Sequence, residues 1–587
     1  MARPRNRRAR TGARNQELKF IPLGGFGEIG KNMLVFEYGE DILVVDSGLK
    51  FPDEEMFGID FVIPDVSYLV ENRERIKAIV LTHGHEDHTG SLPFVLPKVD
   101  VPLYGTPLTL GMAMGKLSEF APSYEPELRE VHAGETVELG AFRVTFVAVC
   151  HSIPDGVGLI IETPEGIIVH TGDFKLDPTP VDGRLTDYNA FAEAGKKGVR
   201  LLLSDSTNAE RPGHTPSENI IGKSLDQILR LHKSRRIVVA AFASNIHRTQ
   251  QILDAAARFN RKVALLGRSM VANVELARRL GYIQASEDLI VPAGEAERIP
   301  ANRLVVLTTG SQGEPFSGLV LMSKGEHRHI LLGPKDLVAI LATPIPGNEK
   351  LVSRTIDRLF SLGCEVIYDR EQQIHASGHA SQEELKMMLG MVRPQHFVPV
   401  HGERRHQHRH ARLAVEMGLP DSNVHILQNG DVLHIHNGKA QVRGSVASGI
   451  VLVDGLALGE MKGSVLKERR ELAEDGVLIV SVVLDGEGKL AGEVRIESRG
   501  FIHTSDATAL YEEMLRGVVK VIDNIGDKAS RDPEQLESRI RGKVREIVKR
   551  TTRATPSVIP MITFLKPGEG KALPPARSQA KKEGVDL

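Results

Sequence analysis

Apolar residues in the first two hundred positions fall in short alternating or unbroken runs: Leu18–Leu23, Asn32–Tyr38, Asp41–Asp46, Arg73–Leu81, Thr136–Val149 and Gly166–Thr171. Runs of this length, bounded by turn residues, predict strands. Helical spacing intervenes at about 61–72 and 107–120. The combination predicts an α/β region of two sheets with helices outside. From about 206 to 370 the rhythm becomes strand–helix–strand. Strands are expected at Arg236–Phe242, Lys262–Leu266, Arg303–Thr308 and Arg328–Leu332, with helices near 246–258 and 270–280. This predicts a doubly wound domain inserted into the first one.

Beyond residue 450 a glycine-containing stretch leads to a smaller α+β segment. Its predicted elements are strands Gly476–Leu484 and Lys489–Arg499, helices Ser505–Ile525 and Pro533–Thr551, and strand Val558–Leu565. The expected division is an arm at 1–17, a first region at 18–206, an insertion at 207–370, a return to the first region at 371–450, a linker at 451–464, a C-terminal domain at 465–566 and a tail at 567–587. The arm is basic and lacks apolar residues that could pack, so arm and tail are expected to be disordered. The arm suits either attachment to RNA phosphates or a solubilising role.

Composition narrows the function. The 587 residues are 41% hydrophobic and 26% charged with a net charge of −2, which describes an ordinary globular chain whose nucleic-acid affinity, if any, must come from local basic patches. Only Cys150 and Cys364 occur, so neither a disulfide framework nor a thiolate metal site is expected. No apolar run is long enough to span a membrane, and no signal-like apolar region follows the N-terminal arginines. A cytoplasmic location and no membrane partner are the expectation.

The 22 histidines cluster. Three of them and a carboxylate stand in Thr82-His83-Gly84-His85-Glu86-Asp87-His88, directly after the apolar run Ile76–Leu81. That places them at the C-terminal end of a strand, where α/β folds put their chemistry. Imidazole and carboxylate suit zinc or manganese. His83 and His85 can bind one metal, with His151 as a third ligand. Asp87 and His88 can bind a second, completed by His401, and Asp173 can bridge the two. Gly25-Phe26-Gly27-Glu28-Ile29-Gly30 matches a dinucleotide fingerprint, but a strand pattern follows where that site needs a helix, so a glycine-rich hairpin is expected.

His83-x-His85-x-Asp87-His88, His151, Asp173 and His401 resemble the ligand motifs of the metallo-β-lactamase fold, a four-layer sandwich. Asp46 resembles the aspartate of that family's first motif, which supports ligands by accepting hydrogen bonds. The gap between Asp173 and His401 resembles the β-CASP branch, which inserts a nucleic-acid-binding domain there. Asp205, His379 and His401 are similar to its motifs A, B and C, and histidine at motif C is similar to RNA-directed members. The likeness runs over nearly the whole ordered chain and is closest to the bacterial ribonuclease J family.

That resemblance implies a two-zinc ribonuclease, with manganese or magnesium as alternatives. It implies 5′→3′ exonuclease and endonuclease activity on single-stranded RNA bearing a 5′-monophosphate, in RNA maturation and mRNA decay. Asp87, Asp205 and His379 are the expected catalytic groups besides the ligands, and either His379 or Asp205 can protonate the leaving oxygen. The segment His375-Ala376-Ser377-Gly378-His379-Ala380-Ser381 opens a helix with small residues and hydroxyls. It suits phosphate, and the resemblance implies that it holds the RNA 5′ end, with Ser244 and Asn245 assisting. Ser381 with Glu384 also reads as a plain helix cap.

Relatives further imply a structural cation, of calcium type, at Gly58, Asp60 and Asp454, although both aspartates also read as ordinary loop acids. They imply a homodimer or homotetramer through the C-terminal strands, and an RNA-degradation complex. His406, His408 and His410 read as a solvated helix face, as do the arginines of Glu534–Arg550. A small-molecule hydrolase of the same fold and a non-catalytic RNA-binding scaffold are the alternatives.

Overall fold

Alternate residues of single strands feed two different cores, which is how the sandwich closes. In the computed structural model Leu18 and Phe20 share a core with Phe142, Val144 and Phe146, while Ile21 and Leu23 join a second core with Leu92, Val95 and Leu110. The first core lies between two sheets, and the second lies between one sheet and its covering helices. On the other sheet Leu201 and Leu203 point into the shared core, whereas Val199 and Leu202 pack with Leu385 and Leu389 of an outer helix. Strands covered on both faces must be apolar throughout, so their sequences read as runs rather than strict alternations.

The structure describes residues 16–53, 55–314, 316–345, 348–368, 374–455, 457–458, 463–502, 507–524 and 532–565. The expected N-terminal arm up to residue 15 and the tail from 567 lie outside these. The chain divides into two units, residues 1–54 with 59–459, and residues 55–58 with 460–587.

The first unit carries three large sheets. One has eight strands, from Lys439–Ser445 at one edge to Leu128–Glu130 at the other, with Leu18–Gly24, Met33–Tyr38, Asp41–Val45 and Ile76–Val80 in the middle. The second has six, in the order His396–Val400, Val199–Asp205, Gly166–His170, Val157–Thr163, Phe142–Ala148 and Thr136–Leu139. The third is the insertion. Its six strands, Ile290–Val291, Lys262–Leu266, Leu304–Thr308, Arg236–Ala240, Asp336–Ile340 and Glu365–Ile367, are all parallel, with a core on each face.

The α/β fold class is as expected, but several elements differ. Residues 61–72 are not one helix: Phe61–Pro64 is a strand and the helix is Ser67–Glu71. That strand pairs antiparallel with Ile450–Asp454, so the start of the expected linker is strand too. Arg328–Leu332 is irregular, with Leu331 exposed, and the strand is Asp336–Ile340, wholly buried between two neighbours. Thr136–Val149 is a hairpin turning at Gly140, which sits at φ 64°. At Gly25–Gly30 no helix opens; the chain turns back and Met33–Tyr38 pairs with Leu18–Gly24.

The second unit has three strands, ordered Arg495–Arg499, Val477–Leu484 and Ser557–Phe564. Strand Lys489–Arg499 of the sequence reading is therefore shorter, its first half making only the bridge between Leu490 and Leu484. Helices Thr508–Asp523 and Pro533–Thr552 cover one face over Leu478, Val480, Val482 and Leu484. Among the described residues no helix is long and apolar enough to cross a membrane.

Candidate metal centre

Strand register brings distant residues to one edge. Strands Gly166–His170, Val199–Asp205 and His396–Val400 run parallel, with Asp205 opposite Val400. Their ends therefore deliver Asp173, Asp205 and His401 side by side. In the other sheet Val45 is opposite Val80, so Asp46 meets the start of the His83–His88 turn. Asp46 and His401 both adopt left-handed backbone, at φ 64° and 52°. For residues with a Cβ this conformation is strained and clusters at functional sites.

His83, His85 and His151 form one group of ring nitrogens lying within 4.8 Å of one another. His83 Nε2 is 3.0 Å from His85 Nδ1, which is 3.2 Å from His151 Nε2. Burial holds His83 and His151 well below the usual histidine range and His85 down to about 4, so all three are neutral near pH 7. Neutral nitrogens about 2.1 Å from one tetrahedral ion stand roughly 3.3 Å apart. The group thus has the spacing and protonation that a shared cation needs. The outer nitrogens are fixed as ligands require: His151 Nδ1 donates to the Gly378 carbonyl at 2.8 Å, and His83 Nδ1 is 3.1 Å from Thr82 Oγ1.

Asp87, His88, Asp173 and His401 form a second group. His401 Nε2 is 3.0 Å from Asp87 Oδ2, and His88 Nε2 is 3.3 Å from Asp173 Oδ2. Asp173 Oδ2 also stands 3.7 Å from His83 and 3.8 Å from His151, while its Oδ1 faces His401 at 3.6 Å. One carboxylate thus borders both groups. Asp46 Oδ2 takes His88 Nδ1 at 2.8 Å, and Thr207 Oγ1 lies 2.7 Å from His401 Nδ1.

The charge balance points the same way. Asp46, Asp87, Asp173 and Asp205 converge here, and among the described residues their only ion-pair partners are histidines. Burial disfavours charge on His88 and His401, yet the surrounding aspartates win, raising His88 well above its usual range and His401 to about 10. Asp87, Asp173 and Asp205 are likewise held below the carboxylate range: burial would raise them, and the neighbouring imidazoliums outweigh it. A cluster of buried carboxylates of this kind favours positive charge, which imidazoliums supply here and a bound cation would supply in their place.

His379 stands at the open side, its side chain 20% exposed. Its Nδ1 meets Asp205 Oδ2 at 2.8 Å, and its ring stacks on His401 with centroids 5.5 Å apart. Burial lowers its pKa, but Asp205 more than offsets this and the net direction is up. In the preceding segment Ser377 Oγ accepts from Asn208 and from the His379 N–H. The N–H groups of Ala380 and Ser381 are taken by Phe174 O and Glu384. Ser381 is buried as the cap of helix Gln382–Val392, with the reciprocal Glu384 bond the sequence suggested. Asn245 is buried and caps Ile246–Arg258 by accepting from Arg248 N–H, and Ser244 is half-buried beside it. His375 is half-buried and Ala376 is buried.

Gly58 lies in the second unit, its carbonyl accepting from Arg469 at 3.0 Å. Asp60 lies in the first, accepting from Gly455 N–H at 2.7 Å, and Asp454 ends the strand Ile450–Asp454. The reading of His406, His408 and His410 as one solvated face needs correction. Only His408 is exposed; His406 and His410 are buried, His410 on Phe397 and Ser206. Sequence reasoning missed Asn32, whose amide lies 3.1 Å from His88 Nε2, and Thr207 and Asn208. The last two lie two and three residues after Asp205, and that closeness was the available signal. Beyond His151 a cavity of about 680 Å³ opens, bordered by Lys175, Asp177, Asp182 and His247.

Comparison with known proteins agrees with this geometry. Residues 27–233 match the metallo-beta-lactamase superfamily, and 234–359 match the family model "Ribonuclease J, beta-CASP domain". Residues 365–427 match a Zn-dependent metallo-hydrolase RNA specificity domain, and 464–565 match the ribonuclease J C-terminal domain. Ribonuclease J2 of Bacillus subtilis is 39% identical over 93% of this chain and 98% of its own. Ribonuclease J of Thermus thermophilus is 42% identical over 94% of this chain and 96% of its own. A solved Enterococcus faecalis protein of unknown function shares the fold at 18% identity, with a TM-score of 0.53 over 71% of this chain and all of that one.

Proposed function

Because this chain belongs to the ribonuclease J family and is a metal-dependent ribonuclease, we propose that it removes nucleotides from 5′-monophosphorylated RNA in the 5′→3′ direction and also cuts RNA internally. The observation that carries this reading is the pair of donor groups joined by Asp173, beside a polar segment at His375–Ser381. We assign His83, His85 and His151 to one divalent cation and Asp87, His88 and His401 to the other, with Asp173 shared. Zinc fits the nitrogen-rich donor set best. When bound, such a pair supplies a hydroxide nucleophile near neutral pH and neutralises charge on the phosphoryl oxygens.

The remaining work falls to the protein. Asp46, Thr82, Thr207 and the Gly378 carbonyl hold the imidazoles in one orientation. Between the two candidates for the leaving-group proton, the geometry favours His379. It is the more exposed, it carries a raised pKa, and its Nδ1 is engaged by Asp205, which leaves Nε2 for the substrate. Asp205 is then the positioning residue. The Ser377 hydroxyl proton and the N–H groups of Ser377 and Gly378, for which no partner is found among the described residues, are the donors we assign to a terminal phosphate. The adjoining cavity is large enough to take a nucleotide.

The test uses one internally labelled RNA carrying either a 5′-monophosphate or a 5′-triphosphate, with zinc or manganese added. Wild type should release mononucleotides from the monophosphate form. His85→Ala should lose metal and all cleavage, and His379→Gln should keep the metal and lose most of the rate. Internal fragments alone from both RNAs would remove the exonuclease reading.

A further inference from the structure

Phe316 is 90% exposed, the most exposed of the large hydrophobic side chains among the described residues. The chain otherwise uses its phenylalanines as core, with Phe20, Phe36, Phe142, Phe146, Phe174, Phe191 and Phe397 all buried. Of the other exposed phenylalanines, Phe51 lies against Phe61 and Phe360 against Tyr368, while Phe57, in the smaller unit, is 41% exposed without a ring partner among the described residues. Among the described residues Phe316 has no ring or cation partner. Leaving so large an apolar surface in water is unfavourable, but single exposed apolar residues are common, so it is the place of this ring in the fold that gives it meaning.

Its position says which. Phe316 lies on the connection after strand Leu304–Thr308, at the carboxyl end of the inserted parallel sheet, the end where doubly wound folds bind ligands. This connection is built rather than loose. The Gln312 amide donates to Thr343 O at 3.1 Å and accepts from Ile345 N–H at 2.7 Å, tying it to the connection after strand Asp336–Ile340. Gly310 and Gly313 turn it at φ 103° and 77°, and a Cβ at Gly313 would stand 2.7 Å from the Leu351 backbone. Ile345, on the tied connection, is also exposed.

The same end of the sheet reaches the metal centre. The buried Arg248 guanidinium donates both to Leu341 O, just past Asp336–Ile340, and to Ala376 O at 3.3 Å. Two residues on, the Gly378 carbonyl accepts from His151. The end of the sheet that carries the Phe316 connection is thus tied, through Arg248, to the segment beside the metal centre. Single-stranded RNA is held sequence-tolerantly by stacking bases on aromatic rings, and this chain has no tryptophan to do it.

We propose that Phe316 is a base-stacking platform that positions single-stranded RNA on the insertion, several nucleotides from the bond being cut. This rests on the ribonuclease reading above. The ring supplies sequence-independent grip, so it acts on binding and not on the chemical step.

The test compares full-length, metal-loaded wild type, Phe316→Ala and Phe316→Trp on 5′-monophosphorylated oligoribonucleotides. One substrate is intact, and the others each carry a single abasic ribonucleotide at a different position. Phe316→Ala should raise KM roughly tenfold with kcat unchanged, and Phe316→Trp should restore KM. One abasic position should raise the wild-type KM by a similar factor and add nothing in Phe316→Ala. An unchanged KM in Phe316→Ala, or abasic penalties at every position that simply add to the substitution, would overturn the stacking role while leaving the ribonuclease intact. Failure of wild type to cut any of these RNAs, in contrast, would overturn the ribonuclease reading itself.

Discussion

A methyl group at Gly378 would stand 2.7 Å from the His151 ring, because the carbonyl of this residue holds the Nδ1 of that histidine. Gly378 therefore bears on the proposed metal centre only through His151. Gly378→Ala is expected to push His151 aside and weaken divalent binding by about 10- to 100-fold, the usual range for loss of an outer partner. Metal titration by calorimetry measures this, and excess metal should restore part of the activity. Undiminished affinity would mean that the ring has room to shift. Asp46 and His401 pose the opposite constraint. Each needs its side chain and each sits in left-handed backbone, so glycine relieves the strain at the cost of the contact.

The helix Arg404–Glu416 links the centre to the core behind it. Its His410 is buried, and burial lowers its pKa to about 3. The unfolded chain binds this proton below about 6.5 and the folded one does not, so stability rises with pH between about 3 and 6.5. The full span is on the order of 5 kcal/mol. His410→Gln can keep the bond to Ser206 and should flatten the acid side of the stability curve, measured by urea unfolding at several pH values. An unaltered slope would show that His410 already titrates freely.

The same helix marks where sequence reading stops. That the histidines and aspartates proposed as ligands would converge was legible because such chemistry calls for these residue types at strand ends. His406 and His410 were not, because four arginines in the same stretch mask a face that packs inward. Strand Phe61–Pro64 was hidden for a different reason: its partner, Ile450–Asp454, lies almost four hundred residues away, and pairing overrode local helical spacing. Asp336–Ile340 lies beside the charged and histidine-rich stretch around residue 328, and its short apolar run carries no periodicity of its own.

At the scale of the whole molecule, the C-terminal unit leaves apolar surface uncovered. Its edge strand Ser557–Phe564 exposes Ile559 at 46% and Met561 at 55% on the face away from its helices. An exposed apolar edge is a template for pairing with another chain, so the homodimer expected from the sequence is predicted to form through this strand. The double substitution Ile559→Asp with Met561→Asp should lower the mass measured by light scattering to that of one chain. An unchanged mass would take this strand out of the interface.

Finally, Asp205 and His401 close neighbouring strands, yet the whole insertion lies between them in the chain, and strand Asp431–His436 must still return to pair with Leu18–Gly24. During synthesis the first ligands emerge early and wait. On the assignment proposed above, a nascent chain therefore lacks a complete set of claws until His401 has been made, more than two hundred residues after Asp173.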